Sequence, residues 1–190
     1  KKGNVIFKED ETFIKNAQYE NFASLKPIFK KEEDGGRVTA GNASPINDGS
    51  AVVLMMSEET ASKLGYKPLA RYITAVSTAL SPSIMGYAPV SAVQKLVKKT
   101  GISLDEVGLV ELNEAFASQA VACIKDLGLN PEIVNVNGGA VALGHAVGCT
   151  GCRISLTLMR EMQRRNVRYG IASLCIGGGQ AMAMMFELYK

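Results

Sequence analysis

The chain has 190 residues, enough for one domain with a sizeable core or for one and a half smaller ones. Its 47% hydrophobic and 21% charged residues exclude wholesale disorder, and a formal net charge of +3 is too small to argue for nucleic acid or an anionic membrane as partner. No apolar run approaches the roughly 20 residues of a membrane span, and Cys123, Cys149, Cys152 and Cys175 lie in apolar or glycine-rich segments, so reduced thiols and a cytoplasmic location are expected.

From Lys1 to Gly36 the chain is charged, with Phe13, Ile14, Phe22, Leu25, Ile28 and Phe29 as its only strong apolar anchors. This stretch is expected to be connecting structure that packs on something else, and a start at Lys1 without methionine suggests a fragment. Asn47-Asp48-Gly49 signals a turn, and the continuous apolar run Ala51 to Met56 predicts a buried strand. Ser57 is placed to cap a helix that opens on Glu58 and Glu59 and stops at Gly65.

A regular alternation follows. Leu69 to Val76 reads as a strand, and Val90, Val93, Leu96 and Val97 mark one face of a helix ended by Gly101. Ser103 and Glu106 have capping-box spacing before a strand at Val107 to Leu112. Phe116, Ala120, Cys123, Ile124 and Leu127 stripe the next helix, with Gly128 past its end. Ile133 to Val136 reads as a strand, Ile154, Leu158 and Met162 as a helix stripe, and Tyr169 to Ile176 and Ala181 to Leu188 as closing strands. The expected fold is α/β and layered, with a mostly parallel sheet whose terminal pair can be antiparallel.

Reactive groups in such sheets gather beyond the carboxyl ends of the strands. Three loops carry them there: Asn113-Glu114-Ala115-Phe116, Asn137-Gly138-Gly139 through Gly144-His145-Ala146-Val147-Gly148, and Cys175-Ile176-Gly177-Gly178-Gly179. Taken singly, each residue has a plainer reading. His145, the sole histidine, suits a hydrogen-bonded structural role as well as a functional one, and alone it cannot build a multi-histidine metal site. A buried cysteine such as Cys175 is by default an inert small hydrophobe, although neighbouring glycine N–H groups could make an oxyanion site. Asn113 could simply cap a helix. Cys149-Thr150-Gly151-Cys152 has CxxC spacing but no second pair, and the glycine loops match neither phosphate- nor dinucleotide-binding patterns.

Together, the three loops resemble the thiolase family. Asn113-Glu114-Ala115-Phe116-Ala117, Asn137-Gly138-Gly139 with Gly144-His145, and Cys175-Ile176-Gly177 are similar to its Asn-Glu-Ala-Phe-Ala, Asn-x-Gly-Gly…Gly-His and Cys-x-Gly blocks. Thr39-Ala40-Gly41-Asn42-Ala43-Ser44 resembles a further family stretch. The resemblance implies a layered fold whose C-terminal half holds a mixed five-stranded sheet flanked by helices. Residues 1–46 would be the tail of the loop domain that holds coenzyme A, 47–67 the last segment of the N-terminal domain, and 68–190 the C-terminal domain.

The implied activity is reversible CoA-dependent cleavage of a 3-ketoacyl-CoA, or acetoacetyl-CoA formation from two acetyl-CoA, with coenzyme A thioesters as substrates, no permanently bound cofactor and no metal. His145 would activate a nucleophilic cysteine on the N-terminal half and, with a water on Asn113, hold the acetyl-CoA enolate oxygen. Cys175 would be the proton-transferring thiol, and the Gly177 N–H part of an oxyanion hole. Ser44 would lie near the pantetheine arm and Met85 beside the acyl pocket. The thiol at Cys175 favours thiolase over ketoacyl synthase, and Met85-Gly86-Tyr87 with Gly148-Cys149-Thr150-Gly151 resemble the degradative 3-ketoacyl-CoA type. Pro45, Ala88, Ala146 and Cys152 depart from the family's usual residues. The isolated chain is expected to be inactive without the nucleophile, with homo-oligomers of the complete protein implied; a stand-alone subunit or CoA-binding scaffold that pairs with another chain is the alternative.

Overall fold

The computed structural model describes residues 3, 6, 8–10 and 14–190. Phe13 lies outside the described residues. The elements are α1 (Tyr19–Ala23), α2 (Glu58–Lys63), β1 (Ala70–Ala79), α3 (Ala88–Thr100), β2 (Val107–Leu112), α4 (Ala117–Leu127), α5 (Ala140–Leu143), α6 (Thr150–Arg165), β3 (Tyr169–Gly177) and β4 (Gln180–Leu188).

Their ends follow local chemistry. The Ser57 side chain accepts the Thr60 N–H at the start of α2, and Ser103 with Glu106 forms the reciprocal capping box before β2. Gly101 and Gly128 end α3 and α4 in the left-handed conformation that costs glycine least.

The strands form one four-stranded sheet in the order β1-β4-β3-β2. Two of its pairings are antiparallel and only β2–β3 is parallel, so the sheet is mixed, as the resemblance implies, rather than mostly parallel as the alternation of elements suggests. The expected count of five strands is corrected as well. Ile133–Val136 contributes only an isolated parallel bridge, Val110 to Val134. The next residue, Asn135, turns left-handed at φ 48°, and its side-chain amide takes the place of a ladder partner. Its Oδ1 accepts the Leu112 N–H and its Nδ2 donates to the Leu112 carbonyl, both at 2.8 Å.

Helices cover both faces. Val90, Val93 and Leu96 of α3 and Cys123 of α4 pack with Val110, Leu112, Ile171 and Met185 on one side of the sheet. On the other, Ile154, Leu158 and Met162 of α6 meet Leu109, Ala172 and Phe186. Each fully buried aliphatic side chain is worth roughly 1.5–3 kcal/mol. The period-two alternation of β2 therefore points Leu109 and Glu111 toward α6, and the next residue of that parity is Asn113.

The run Ala51 to Met56 is not a strand. It pairs with nothing among the described residues, and Val52, Leu54 and Met55 are 85%, 73% and 65% exposed. An apolar run signals burial, but a strand also needs a ladder partner, and the described sheet offers this one none. In the opening segment Phe22 and Leu25 close on Gly41 and Phe29 meets Phe116 edge-on, while Ile14, Ile28 and Phe29 remain largely exposed.

Candidate active site

Asn113 stands just past the end of β2, where its N–H donates to the Ser173 carbonyl at 2.9 Å, so it is not a helix cap; Phe116 holds that position on α4. Its side chain is 2% exposed, with Nδ2 3.4 Å from His145 Nε2 and Oδ1 buried without a hydrogen-bond partner among the described residues.

The other imidazole nitrogen fixes the proton's place. His145 Nδ1 is 2.7 Å from Thr150 Oγ1, and that hydroxyl donates its only proton to the Ala146 carbonyl at 2.9 Å. Thr150 must then accept from Nδ1–H, which leaves the Nε2 lone pair facing Asn113. Burial, and secondarily the Arg153 charge, holds His145 below the ordinary imidazole value. The ring is therefore neutral at pH 7 and able to take a proton at Nε2.

Neighbouring polar groups hold this loop. Glu114 accepts the Asn135 side chain and the Val141 N–H, both at 3.1 Å, and a Cβ on Gly139 would strike its carboxylate. Asn137 Nδ2 donates to Glu161 Oε2 on α6 at 3.1 Å. Thr150 and Glu114 fall inside the quoted motifs without a role assigned there, and Asn135 falls outside them; all three support the loop. Only Thr150 carried a signal, the five-residue offset from His145 that spans the turn opening α6.

Glu111 is 3% exposed and 3.8 Å from Arg153 Nη1. Burial pushes its carboxyl up to about 7, against the opposing pull of Arg153, while Glu114 and Glu161 push it further up. The native state thus keeps a proton that the unfolded chain releases near 4.5, so this residue's contribution to stability falls as pH rises from about 4.5 to about 7. Glu111→Gln is expected to flatten that fall by on the order of 3 kcal/mol, read as the wild-type-minus-variant difference in urea unfolding at about pH 5 and about pH 8. A difference that stays constant between the two pH values rejects it.

Cys175 lies two residues before the end of β3 and is 8% exposed; it shares strand parity with Ile171 and so lies on the α3–α4 face. Burial pushes its thiol up, only partly offset by a backbone hydrogen bond, so it holds its proton at neutral pH. Gly177 pairs with Gln180, and the two residues between them, Gly178 and Gly179, both have positive φ, as a type I′ hairpin turn requires. Gly177 itself sits at φ 115°, which only glycine adopts cheaply. Met85 is half-buried in the turn Pro82–Tyr87, which packs against β3 and α4. Ser44 donates its hydroxyl to the Ala115 carbonyl at 3.2 Å.

The structure therefore brings Asn113 and His145 into direct contact, places Ser44 against the Asn113 loop, and sets Cys175 and Gly177 at the end of the adjacent strand. No hydrogen bond joins the Cys175 thiol to His145 or Asn113 among the described residues. Cys149 and Cys152 are free, half-buried thiols at the start of α6.

Comparison with known families decides the wider identity. The model of the thiolase C-terminal domain matches residues 66–188, and that of the thiolase N-terminal domain matches residues 1–59. The chain belongs to the thiolase family. This thiolase chain is 48% identical over 187 residues to an acetyl-CoA acetyltransferase of Paracoccus denitrificans, covering 98% of the chain and 47% of that protein. Among solved structures it is similar to the Bacillus anthracis acetyl-CoA acetyltransferase (TM-score 0.92, 48% identity, 97% of this chain and 46% of that one). It is also similar to the human mitochondrial 3-ketoacyl-CoA thiolase in complex with CoA (TM-score 0.88, 41% identity, 97% of this chain and 46% of that one). The thiolase chain thus spans about half the length of the relatives it matches.

Proposed function

We propose that these residues are the C-terminal part of an enzyme that reversibly cleaves a 3-ketoacyl-CoA with coenzyme A, or forms acetoacetyl-CoA from two acetyl-CoA. The observation that carries this reading is the Asn113–His145 pair, with an unprotonated Nε2 beside a buried, unpartnered amide oxygen. In this reading His145 takes the proton of a cysteine supplied by the N-terminal half. The resulting thiolate attacks the 3-keto carbon, the bond between the α and β carbons breaks, and the acetyl-CoA enolate leaves. Cys175 protonates that enolate; its thiolate then removes the proton of incoming coenzyme A, whose sulfur displaces the shortened acyl group.

His145 and a water on Asn113 hold the enolate oxygen, while the Gly177 N–H donates to the oxyanion of the tetrahedral intermediate. Losing one such donor costs roughly 100- to 1,000-fold. Ser44 lies by the pantetheine arm and Met85 by the acyl pocket. Residues 1–46 belong to the loop domain, 47–67 to the N-terminal domain and 68–190 to the C-terminal domain. The exposed apolar residues Val52, Leu54, Met55, Val147 and Ile176 support burial against the other half. The same reading makes the complete protein a cytoplasmic homo-oligomer of fatty acid metabolism.

The test is thiolysis of acetoacetyl-CoA by a polypeptide that adds the N-terminal half, compared with the 190 residues alone. Turnover is expected only in the first, because Cys123 is fully buried, Cys175 transfers protons, and Cys149 and Cys152 sit in the α6 turn. Cysteine-dependent thiolysis by the 190 residues alone would overturn the assignment. Turnover restored by adding the other half as a separate chain would identify a two-chain enzyme instead.

A further inference from the structure

The segment Asn47-Asp48-Gly49, where the sequence signals a turn but the structure forms none, takes no part in the chemistry above, yet it ends a stretch that touches both loops of the candidate site. Residues 42–47 run between the Asn113 loop and the His145 loop and bond to each through the main chain. On one side, the Ala117 N–H donates to the Asn42 carbonyl at 2.8 Å, Ala43 bridges Phe116, and the Ser44 N–H donates to the Ala115 carbonyl at 3.0 Å. On the other, the His145 N–H donates to the Pro45 carbonyl at 3.0 Å, Ile46 bridges His145, and the Asn47 N–H donates to the His145 carbonyl at 3.4 Å. Proline at position 45 costs nothing, because only its carbonyl is used.

Two glycines let the backbones approach. A Cβ on Gly144 would land on the Asn47 side chain, and one on Gly49 would lie 2.8 Å from the Ala146 Cβ. The 3.4 Å side-chain contact between Asn113 and His145 is itself too long to hold the imidazole in place. Thr150 fixes the ring's rotation, not the position of its main chain.

We propose that residues 42–49 form a clasp that sets where His145 stands relative to Asn113, with Pro45, Asn47 and Gly49 as positioning residues. The clasp falls within the stretch matched by the N-terminal-domain model, and both loops within that matched by the C-terminal-domain model. Residues in the stretch matched by one domain model therefore place the reactive pair in the stretch matched by the other. The catalytic importance of that pair rests on the acyl-transfer reading above; the clasp itself does not.

The test uses the full chain labelled with ¹⁵N, in which the single histidine gives one pair of imidazole nitrogen signals. Gly49→Ala is expected to shift those signals and to speed His145 amide exchange about tenfold, with exchange at core Ile171 unchanged. Gly49 has no positive φ, so the change acts through the contact with Ala146. Gly49→Ala/Ala146→Gly removes the added contact and is expected to restore both readouts. Unchanged His145 signals in Gly49→Ala, no recovery in the double variant, or equally faster exchange at Ile171 would each overturn the clasp. None of these readouts involves turnover, so failure of the clasp and failure of the acyl-transfer reading are separable.

Discussion

Cys175→Ala, placed in a polypeptide that supplies the acyl-accepting cysteine, is expected to slow exchange of the acetyl-CoA α-protons by about 10²- to 10⁴-fold while acylation of the enzyme persists. The separation follows from where the thiol sits. Cys175 is 8% exposed near the end of β3, and burial pushes its thiol up, so at neutral pH it waits as the protonated form. A thiol raised in this way is a poor spontaneous nucleophile, but its thiolate is a stronger base, which suits removal of a weakly acidic α-proton. The acylation step needs a different group: a base for the attacking cysteine, the role proposed above for His145. Mass spectrometry of the intact acyl-enzyme and deuterium exchange into acetyl-CoA read the two steps independently. Equal loss of both would show that alanine collapses the β3–β4 hairpin, and undiminished exchange would remove Cys175 from the chemistry.

The helices and central strands were legible because local signals and tertiary packing agree there. The capping box at Ser103 and Glu106 and the glycines at 101 and 128 mark boundaries that the structure keeps. The failures share one cause. A strand is defined by its neighbour, and a run of apolar residues does not name one. Ala51 to Met56 is as apolar as β3, yet it pairs with nothing among the described residues. Ile133 to Val136 stops after one bridge because the side chain of Asn135 satisfies Leu112 and bends the chain left-handed. Direction was illegible for the same reason: only the order β1-β4-β3-β2 makes β4 antiparallel to both of its neighbours.

At the site, glycine-flanked His145, Asn113 and Cys175 stood out as residue types in suggestive loops. What motif reading could not supply is their support. Thr150 matters through one lone pair, and Glu114 through a carboxylate fitted against Gly139. The clasp at 42–49 lies about 70 residues from one loop and 100 from the other, a separation that no local pattern encodes.

His145→Gln in the same complete polypeptide is expected to reduce acyl-enzyme formation by about 10²- to 10⁴-fold. Glutamine keeps a comparable reach and a hydrogen-bonding end, so it can still meet Thr150 or Asn113, but it cannot accept and return a proton. The loss is therefore larger than that of a hydrogen bond alone. The pH dependence adds a second constraint. The Thr150 hydroxyl, committed to the Ala146 carbonyl, requires the Nδ1–H tautomer, and only the neutral ring leaves Nε2 open as a base. Burial and Arg153 hold the imidazole below its ordinary value of 6.5, so the neutral form persists as pH falls through that value. The acid limb of wild-type acylation is accordingly expected to be centred below pH 6.5, and to be absent from the residual rate of His145→Gln. An acylation rate within about threefold of wild type would assign the proton transfer to another group, since general-base catalysis contributes far more than that factor. An acid limb centred above 6.5 would contradict a desolvated, Arg153-facing ring.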